Sequence, residues 1–190
     1  MKRIQIILTF VLLSISTFPG CTTDEPITVV SHEVGLIANS SFEVGFSPSL
    51  YGWETNITDT SVIHFAKDAP VGGGLYSVWL KNQWTFPGEI KYKVIPPNGT
   101  HRYRLSVWGK AIRTNSLPSS GSIMLVLKHS DTDSLLSSIY FSDSVWTFVS
   151  EIDKLTTTTA DTLLIMLRGN PGQFTSGYVQ FDLCKLVKLE

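Results

Sequence analysis

The sequence predicts an all-β protein, an antiparallel β-sandwich, from three observations. Residues 89–94 alternate strictly between polar and apolar side chains, which places three apolar residues on one face of a strand. The turn residues at 96–99 follow that strand directly, and similar turns separate most other candidate strands. Residues 35–190 carry no convincing helical period. Many short strands between turns are typical of this architecture.

The individual strands follow from the same alternation, beginning with a first strand predicted at residues 27–31. Within residues 75–81, the alternation of side chains directs Trp79 outward, away from the core. Residues 102–110 divide into two faces, a core face of Tyr103, Leu105 and Val107 and an outward face of Arg104, Ser106, Trp108 and Lys110. The other predicted strands are 62–66, 89–94, 123–128, 136–141, 147–152, 162–168 and 178–187.

Residues 1–20 have the order of a secretory signal peptide, with a basic start and an apolar run too short for a membrane-spanning helix. The residues before Cys21 resemble the lipobox of bacterial lipoproteins, which implies a lipid on Cys21, a tether at 21–34 and a folded domain at 35–190. The acidic pair after Cys21 resembles the tether of lipoproteins sent to the cell surface. An extracytoplasmic, lipid-anchored protein of the outer membrane or cell surface is expected. The alternative is an ordinary signal peptide that leaves a free cysteine.

The charge balance excludes one class of partner. Removing residues 1–20 takes the formal net charge from −1 to −3, and no basic stripe marks a nucleic-acid surface. Membrane contact is expected through the lipid anchor only. The second cysteine, Cys184, lies in an apolar strand and is predicted to be a small buried side chain.

Several fragments, in their order and spacing, resemble the carbohydrate-binding modules of families 4, 9 and 22, which are galactose-binding-like jelly rolls. The fragments are Asn39 to Glu43, Gly52-Trp53, Gly74 to Val78, residues 97–110, Trp146 and residues 177–186. The resemblance implies a jelly-roll sandwich that binds a poly- or oligosaccharide without catalysis.

The same resemblance implies a structural calcium ion held by the carboxylates of Glu43 and Asp182. Backbone carbonyls near Ser41 and in the Gly72 to Gly74 turn would complete the shell, since calcium takes six to eight oxygen ligands. The chain has Leu183 where those modules usually carry a second acid. The alternative is that both carboxylates only accept hydrogen bonds from nearby backbone groups.

The saccharide site is expected among outward aromatic residues, because sugar rings stack on aromatic planes while polar side chains bind the hydroxyls. Of five tryptophans, Trp53 and Trp146 are expected to pack at strand starts. The predicted ligand-binding residues are Trp79, Asn82, Gln83, Trp84, Arg104 and Trp108.

The outward faces of two later strands are unexpectedly apolar. Together with Trp108, the residues Met124, Val126, Leu164 and Met166 are predicted to form one exposed patch. That patch suits the floor of a saccharide groove or the surface of a protein partner. An interaction or assembly protein is therefore the alternative function.

No catalytic motif is complete, so the chain is not expected to be an enzyme. Glu151-Ile152-Asp153 resembles the start of the paired-acid motif of some jelly-roll glucanases, but Thr156 stands where the third acid belongs. No Gly-x-Ser-x-Gly motif is present, and the four histidines lack short metal-binding spacing. A small glycan-active enzyme is the least expected function.

Overall fold

The computed structural model describes residues 35–82, 87–114, 117–130, 132–170 and 177–189. The predicted signal peptide, the tether, the first strand at 27–31, Cys21, Gln83 and Trp84 lie outside the described residues. The described residues contain twelve strands and no helix. They therefore include no helix that is long and apolar enough to cross a membrane. The strands are β1 (Glu43–Val44), β2 (Ser47–Pro48), β3 (Trp53–Thr55), β4 (Ile63–Ala66), β5 (Ser77–Lys81), β6 (Glu89–Val94), β7 (Gly99–Ile112), β8 (Gly121–His129), β9 (Thr132–Phe141), β10 (Thr147–Thr157), β11 (Asp161–Gly169) and β12 (Tyr178–Leu189).

Two five-stranded antiparallel sheets form a sandwich, which confirms the predicted fold class. The first sheet has the order β10-β7-β12-β5-β4, and the second has the order β3-β6-β11-β8-β9. Most successive strands from β5 onward lie in different sheets, and only β8 and β9 form a hairpin within one sheet. The short strands β1 and β2 pair separately. Residues distant in sequence therefore share each outer face.

The core lies between the sheets and contains the residues that the alternation predicted. Tyr103, Leu105 and Val107 of β7 are buried, and so are Ile90 and Val94 of β6. Side chains on alternate positions of a strand face opposite sides of a sheet. The other face of β7, which carries Trp108, therefore lies on the outside of the first sheet.

The two ends of the domain lie side by side, as a site shared by Glu43 and Asp182 requires. Gly35 pairs with Val187 of β12, and the Leu36 amide donates to the Leu186 carbonyl at 2.7 Å. Further along, the Cys184 amide donates to the Ser40 carbonyl at 2.8 Å. These bonds bring the segment that leads into β1 against the last strand.

Candidate functional site

Glu43 of β1 anchors the turn between β4 and β5 through its carboxylate. Oε1 accepts a hydrogen bond from the Leu75 amide at 2.5 Å and another from the Tyr76 amide. A Cβ added to Gly74 would lie 2.7 Å from Glu43 Oε2, and Gly74 has a left-handed φ of 87°. Only glycine combines that backbone conformation with so close an approach to the carboxylate.

Asp182 of β12 is fully buried beside this turn. Its Oδ1 accepts a hydrogen bond from the Leu183 amide at 2.6 Å, whereas Oδ2 has no hydrogen-bond partner among the described residues. Burial raises the pKa of Asp182 to about 8, and repulsion from Glu43 adds to the increase. A carboxylate in that position is costly when ionised, unless a cation neutralises it.

The backbone around the two acids is held in unusual conformations. Phe42, next to Glu43, has a φ of 56°, and Leu183, next to Asp182, has a φ of 48°. Left-handed residues other than glycine are uncommon and cluster at functional sites. A Cβ added to Gly73 would lie 2.1 Å from Asp182 Oδ2, so the turn passes directly against that oxygen.

These features fit a calcium ion in chemistry and placement. Two carboxylates converge on one turn, one carboxylate oxygen is buried and unbonded, and backbone lies within reach of both. Within the described ranges, no group of three or more His, Cys, Asp or Glu side chains is arranged to hold a metal. Backbone carbonyls and water would therefore supply most of the ligands, as is common for calcium.

Trp79 of β5 lies on the outer face of the first sheet, as predicted, but it packs within an aromatic cluster. Its ring centroid is 5.0 Å from that of His64 and 5.0 Å from that of Tyr178. Its ring nitrogen is buried and has no hydrogen-bond partner in the described part of the chain. Burial lowers the pKa of His64, which favours the neutral imidazole in this cluster.

Asn82, another predicted ligand-binding residue, is buried after the end of β5. Its Nδ2 donates to Ser119 Oγ at 2.8 Å, and its Oδ1 accepts from the Asn170 amide at 2.9 Å. The side chain thereby ties together three connections between the sheets. Its exposed surface is too small to present the amide to a ligand.

Lys110 and its neighbours separate Trp79 from Trp108 on this face. The Lys110 ammonium forms an ion pair with Asp68 and lies 4.9 Å from the centre of the Trp146 ring. The Trp146 ring nitrogen donates to Asp68 Oδ1 at 3.3 Å, so Trp146 packs as the sequence predicted. The predicted residues Trp79 and Trp108 therefore belong to different surface features.

Trp108 and Arg104 do lie together, in a surface pocket of about 230 Å³ on the first sheet. Phe148 of β10 is 52% exposed, and its ring centroid is 5.3 Å from that of Trp108. The pocket is lined by Arg104, Ser106, Trp108, Phe148, Leu183, Lys185 and Val187. We call it the Trp108 pocket.

The predicted apolar patch was wrong in one respect, because Trp108 is not part of it. Leu164 pairs with Val126 and Met166 pairs with Met124 on the outer face of the second sheet. Trp108 lies in β7, which belongs to the first sheet, so the sandwich separates it from the other four residues. Val126 and Leu164 are also nearly buried, which reduces the exposed apolar area.

A second pocket of about 230 Å³ opens on that outer face and was missed by the sequence analysis. Tyr140 of β9 is 72% exposed at its edge. The signal was present, because Ser137, Ile139 and Phe141 alternate with Tyr140, but the two faces of this predicted strand had not been distinguished. The lining residues are Gly121, Ser122, Met124, Tyr140, Arg168 and Asn170. We call it the Tyr140 pocket.

The polar residues of the Tyr140 pocket are held by their own contacts. Arg168 Nε lies 3.3 Å from Glu89 Oε2, and the same carboxylate group pairs with Lys91 at 3.0 Å. Asn170 Nδ2 donates to Ser120 Oγ at 2.7 Å. Their own contacts therefore restrain the guanidinium and the amide, which line one pocket together with an open aromatic ring.

Glu151 and Asp153 of β10 line neither pocket. They share the core-directed side of the first sheet's edge, where the Ser137 hydroxyl donates to the Glu151 carboxylate. Burial raises the pKa of Asp153, and repulsion from Glu151 raises it further. Thr156, at the position of the third acid, bonds to the Thr100 hydroxyl at 2.8 Å.

Comparison with known proteins finds likeness in structure only. No protein-family model and no curated protein match the sequence. A family 61 carbohydrate-binding module in complex with β-1,4-galactotriose aligns with a TM-score of 0.51 and 18% identity, over 83% of this chain and 99% of that one. A family 16 module aligns with a TM-score of 0.57 and 17% identity, over 80% of this chain and 99% of the module. The xylan-binding CBM22-1 domain from Paenibacillus barcinonensis aligns with a TM-score of 0.56 and 11% identity, over 83% of this chain and 96% of that domain.

Other structural neighbours are longer proteins. The enzymatically active domain of tailspike protein 4 from bacteriophage CBA120 aligns with a TM-score of 0.57, but this chain spans only 22% of that domain's length. The three modules, by contrast, are matched over almost their whole length. The chain therefore has the jelly-roll sandwich fold of carbohydrate-binding modules.

Proposed function

We propose that this protein binds a poly- or oligosaccharide without chemically changing it, and that the Tyr140 pocket is the site. The observation that carries the proposal is the open Tyr140 ring beside Arg168 and Asn170, whose polar groups are already held in place. A sugar presents an apolar C–H face and a rim of hydroxyls. An aromatic plane flanked by planar polar side chains is complementary to both, and fixed partners reduce the ordering cost of binding.

The size of the pocket implies modest affinity. An aromatic contact that buries about 100 Å² of apolar surface contributes roughly 2.5 kcal/mol. Two or three such contacts must offset association costs of at least about 4 kcal/mol. The remainder is smaller than the roughly 4 kcal/mol of a 1 mM complex, so dissociation constants in the millimolar range or weaker are expected from these contacts for a short oligosaccharide. Many copies on one surface would hold a polymer more firmly through multivalency.

The test is a glycan array and affinity gels with β-1,4-galactan and xylan, compared between Tyr140→Ala and Phe148→Ala. Both variants remove one exposed aromatic ring, but from opposite faces of the sandwich. Tyr140→Ala is expected to abolish binding of neutral glycans, whereas Phe148→Ala retains it. The opposite pattern would move the site to the first sheet. Folded protein that binds no glycan would refute the function, and release of reducing ends would refute the absence of catalysis.

A calcium ion at Glu43 and Asp182 is part of the proposal, with a structural role. The buried, unbonded Asp182 oxygen and the close approach of Gly73 support it. When bound, the ion supplies positive charge between two carboxylates that otherwise repel each other. Glu43 would also keep the β4–β5 turn in place through its bonds to the backbone of residues 75 and 76.

Lipid anchoring at Cys21 and an extracytoplasmic location are the final part of the proposal. They rest on the sequence of residues 1–25 alone. Expression in a bacterial host with a clickable fatty acid should label the wild-type chain and place it in the membrane fraction. Cys21→Ala should lose both the label and the membrane association. A labelled Cys21→Ala chain, or an unlabelled wild type, would refute the anchor.

A protein-binding role is the second candidate, favoured by the apolar outer face of the second sheet. Leu135 of β9 is 60% exposed on this sheet, which also carries the partly exposed Met124 and Met166. Sedimentation velocity distinguishes the two functions. A tight dimer that Leu135→Ser dissociates would favour assembly, whereas a monomer retarded by glycan gels favours the saccharide.

A further inference from the structure

The outer face of the first sheet concentrates positive charge around the Trp108 pocket. Alternation along β7, β10 and β12 directs five cationic side chains to this face, namely Arg102, Arg104, Lys110, Lys154 and Lys185, of which Lys110 is paired with Asp68. The acids of β10, Glu151 and Asp153, point to the opposite side of the same sheet. The chain as a whole is slightly acidic, so this is a local excess of cations.

The described outward residues of these three strands include one acid, Asp182, and it is not available to balance the charge. Asp182 is fully buried beneath the β4–β5 turn. Lys185 is exposed and has no ion pair within the described part of the chain. An anion entering the pocket would therefore meet a cationic rim.

A bulge in β12 builds one wall of the pocket. The register with β7 shifts between Asp182 and Lys185, and Leu183 adopts a left-handed φ of 48°. Asp182 and Leu183 consequently both lie on the outer side, while Cys184 is buried in the core. The shift brings Lys185 opposite Ser106, one position along the face from Trp108. Bulges commonly redirect a side chain in this way next to binding sites.

We propose that the Trp108 pocket binds an anionic sugar unit, one that carries a carboxylate or a sulfate group. The Trp108 and Phe148 rings offer an apolar surface for the sugar ring, and Lys185 offers a charged donor for its anionic group. The volume of about 230 Å³ suits a single ring rather than a long enclosed chain. The ligand class rests on the proposed saccharide-binding function, but the site is separate from the Tyr140 pocket and lies on the opposite sheet.

The experiment measures binding of three probes of equal length by calorimetry: an oligogalacturonate, a sulfated galacto-oligosaccharide and a neutral galacto-oligosaccharide. Lys185→Gln removes the proposed charged donor. Lys188→Gln is the matched control, because it removes the same charge three residues away, from an exposed position on the opposite side of β12. Lys185→Gln is expected to weaken binding of an anionic probe about tenfold or more, and Lys188→Gln to change it less than twofold. The wild-type affinity should also fall with added salt.

Each outcome bears on one of the two sites. Retention of the anionic probe by Tyr140→Ala supports a separate site, and its loss would place the anionic sugar in the Tyr140 pocket and overturn the inference. Equal binding of neutral and anionic probes, or no effect of Lys185→Gln, would also overturn it while leaving saccharide binding intact. Equally strong competition by single-stranded DNA or anionic vesicles would indicate a general polyanion surface instead. Comparison of the two anionic probes shows whether the carboxylate or the sulfate is preferred.

Discussion

Replacing Asp182 with asparagine tests the calcium site most directly, because it removes a buried negative charge and keeps the shape of the side chain. In the wild type without calcium, ionised Asp182 lacks a partner for Oδ2 and faces Glu43. In Asp182→Asn the repulsion disappears, and the proposed ion would lose one carboxylate ligand. Calcium removal should therefore destabilise the wild type and leave Asp182→Asn unchanged.

The expected size of the effect follows from the pKa of Asp182. Burial raises this pKa from 3.8 to about 8, so the folded state binds the proton more tightly than the unfolded state. This contribution to stability is fully present below about pH 4 and is lost as the pH rises towards about 8. Each pKa unit corresponds to about 1.4 kcal/mol, so the loss amounts to a few kcal/mol. Asp182→Asn should lack this loss and be the more stable protein in chelator at pH 8.

Calcium should narrow the difference in stability between the two proteins. An ion at one hundred times its dissociation constant stabilises the folded state by about 2.7 kcal/mol. For a domain of this size, that raises the melting temperature by about 5–10 °C. The increase should occur in the wild type and disappear in Asp182→Asn.

The assay is differential scanning calorimetry at pH 6, 7 and 8, in calcium and in EGTA. Asp133→Asn serves as the control, because Asp133 is an exposed acid on the second sheet. It should melt like the wild type under every condition. A calcium response that persists in Asp182→Asn, or a wild type that melts identically with calcium and EGTA, would refute the reasoning.

Three further predictions concern residues away from the proposed saccharide sites. Gly73→Ala should destabilise the fold by about 1–3 kcal/mol and weaken calcium binding, because the new Cβ would lie 2.1 Å from Asp182 Oδ2. Urea unfolding checks this against Gly35→Ala, where an added Cβ meets nothing within 4 Å; equal midpoints would contradict it. Cys184 should react with a thiol reagent only on unfolding, because burial encloses the thiol and raises its pKa. Rapid labelling of the native protein would show that this strand opens. Burial lowers the pKa of His64 below 6.5, so stability should decline as the pH falls below that value. His64→Gln should flatten that decline in urea titrations, and an unchanged slope would count against the assignment.

The alternation along single strands was a sufficient guide to the sandwich and to the core. Residues 102–110 illustrate why, since a period of two assigns each side chain to one face without knowledge of any partner strand. The adjacency of Glu43 and Asp182 was also foreseeable, from a resemblance that covers both ends of the domain. Their close approach to one glycine turn in the structure agrees with that expectation.

The grouping of surface residues was not foreseeable, because it depends on which strands become neighbours. Trp108 was assigned to a patch with Met124 and Met166, yet β7 and β8 lie in different sheets although they are consecutive. Trp79 was correctly assigned to an outer face, but only the pairing of β4, β5 and β12 shows that it packs between His64 and Tyr178.

The sequence by itself determined the longer strands and their inward faces, because local alternation and turn chemistry encode them, and the resemblance indicated the two acidic ends of the domain. The tertiary structure alone decided that the Tyr140 ring opens into a pocket and that Arg104, Trp108 and Lys185 share another pocket. The physical reason is that a surface site is assembled across strands. Hydrogen-bonded register between distant segments, together with one bulge after Asp182, determines which side chains meet there.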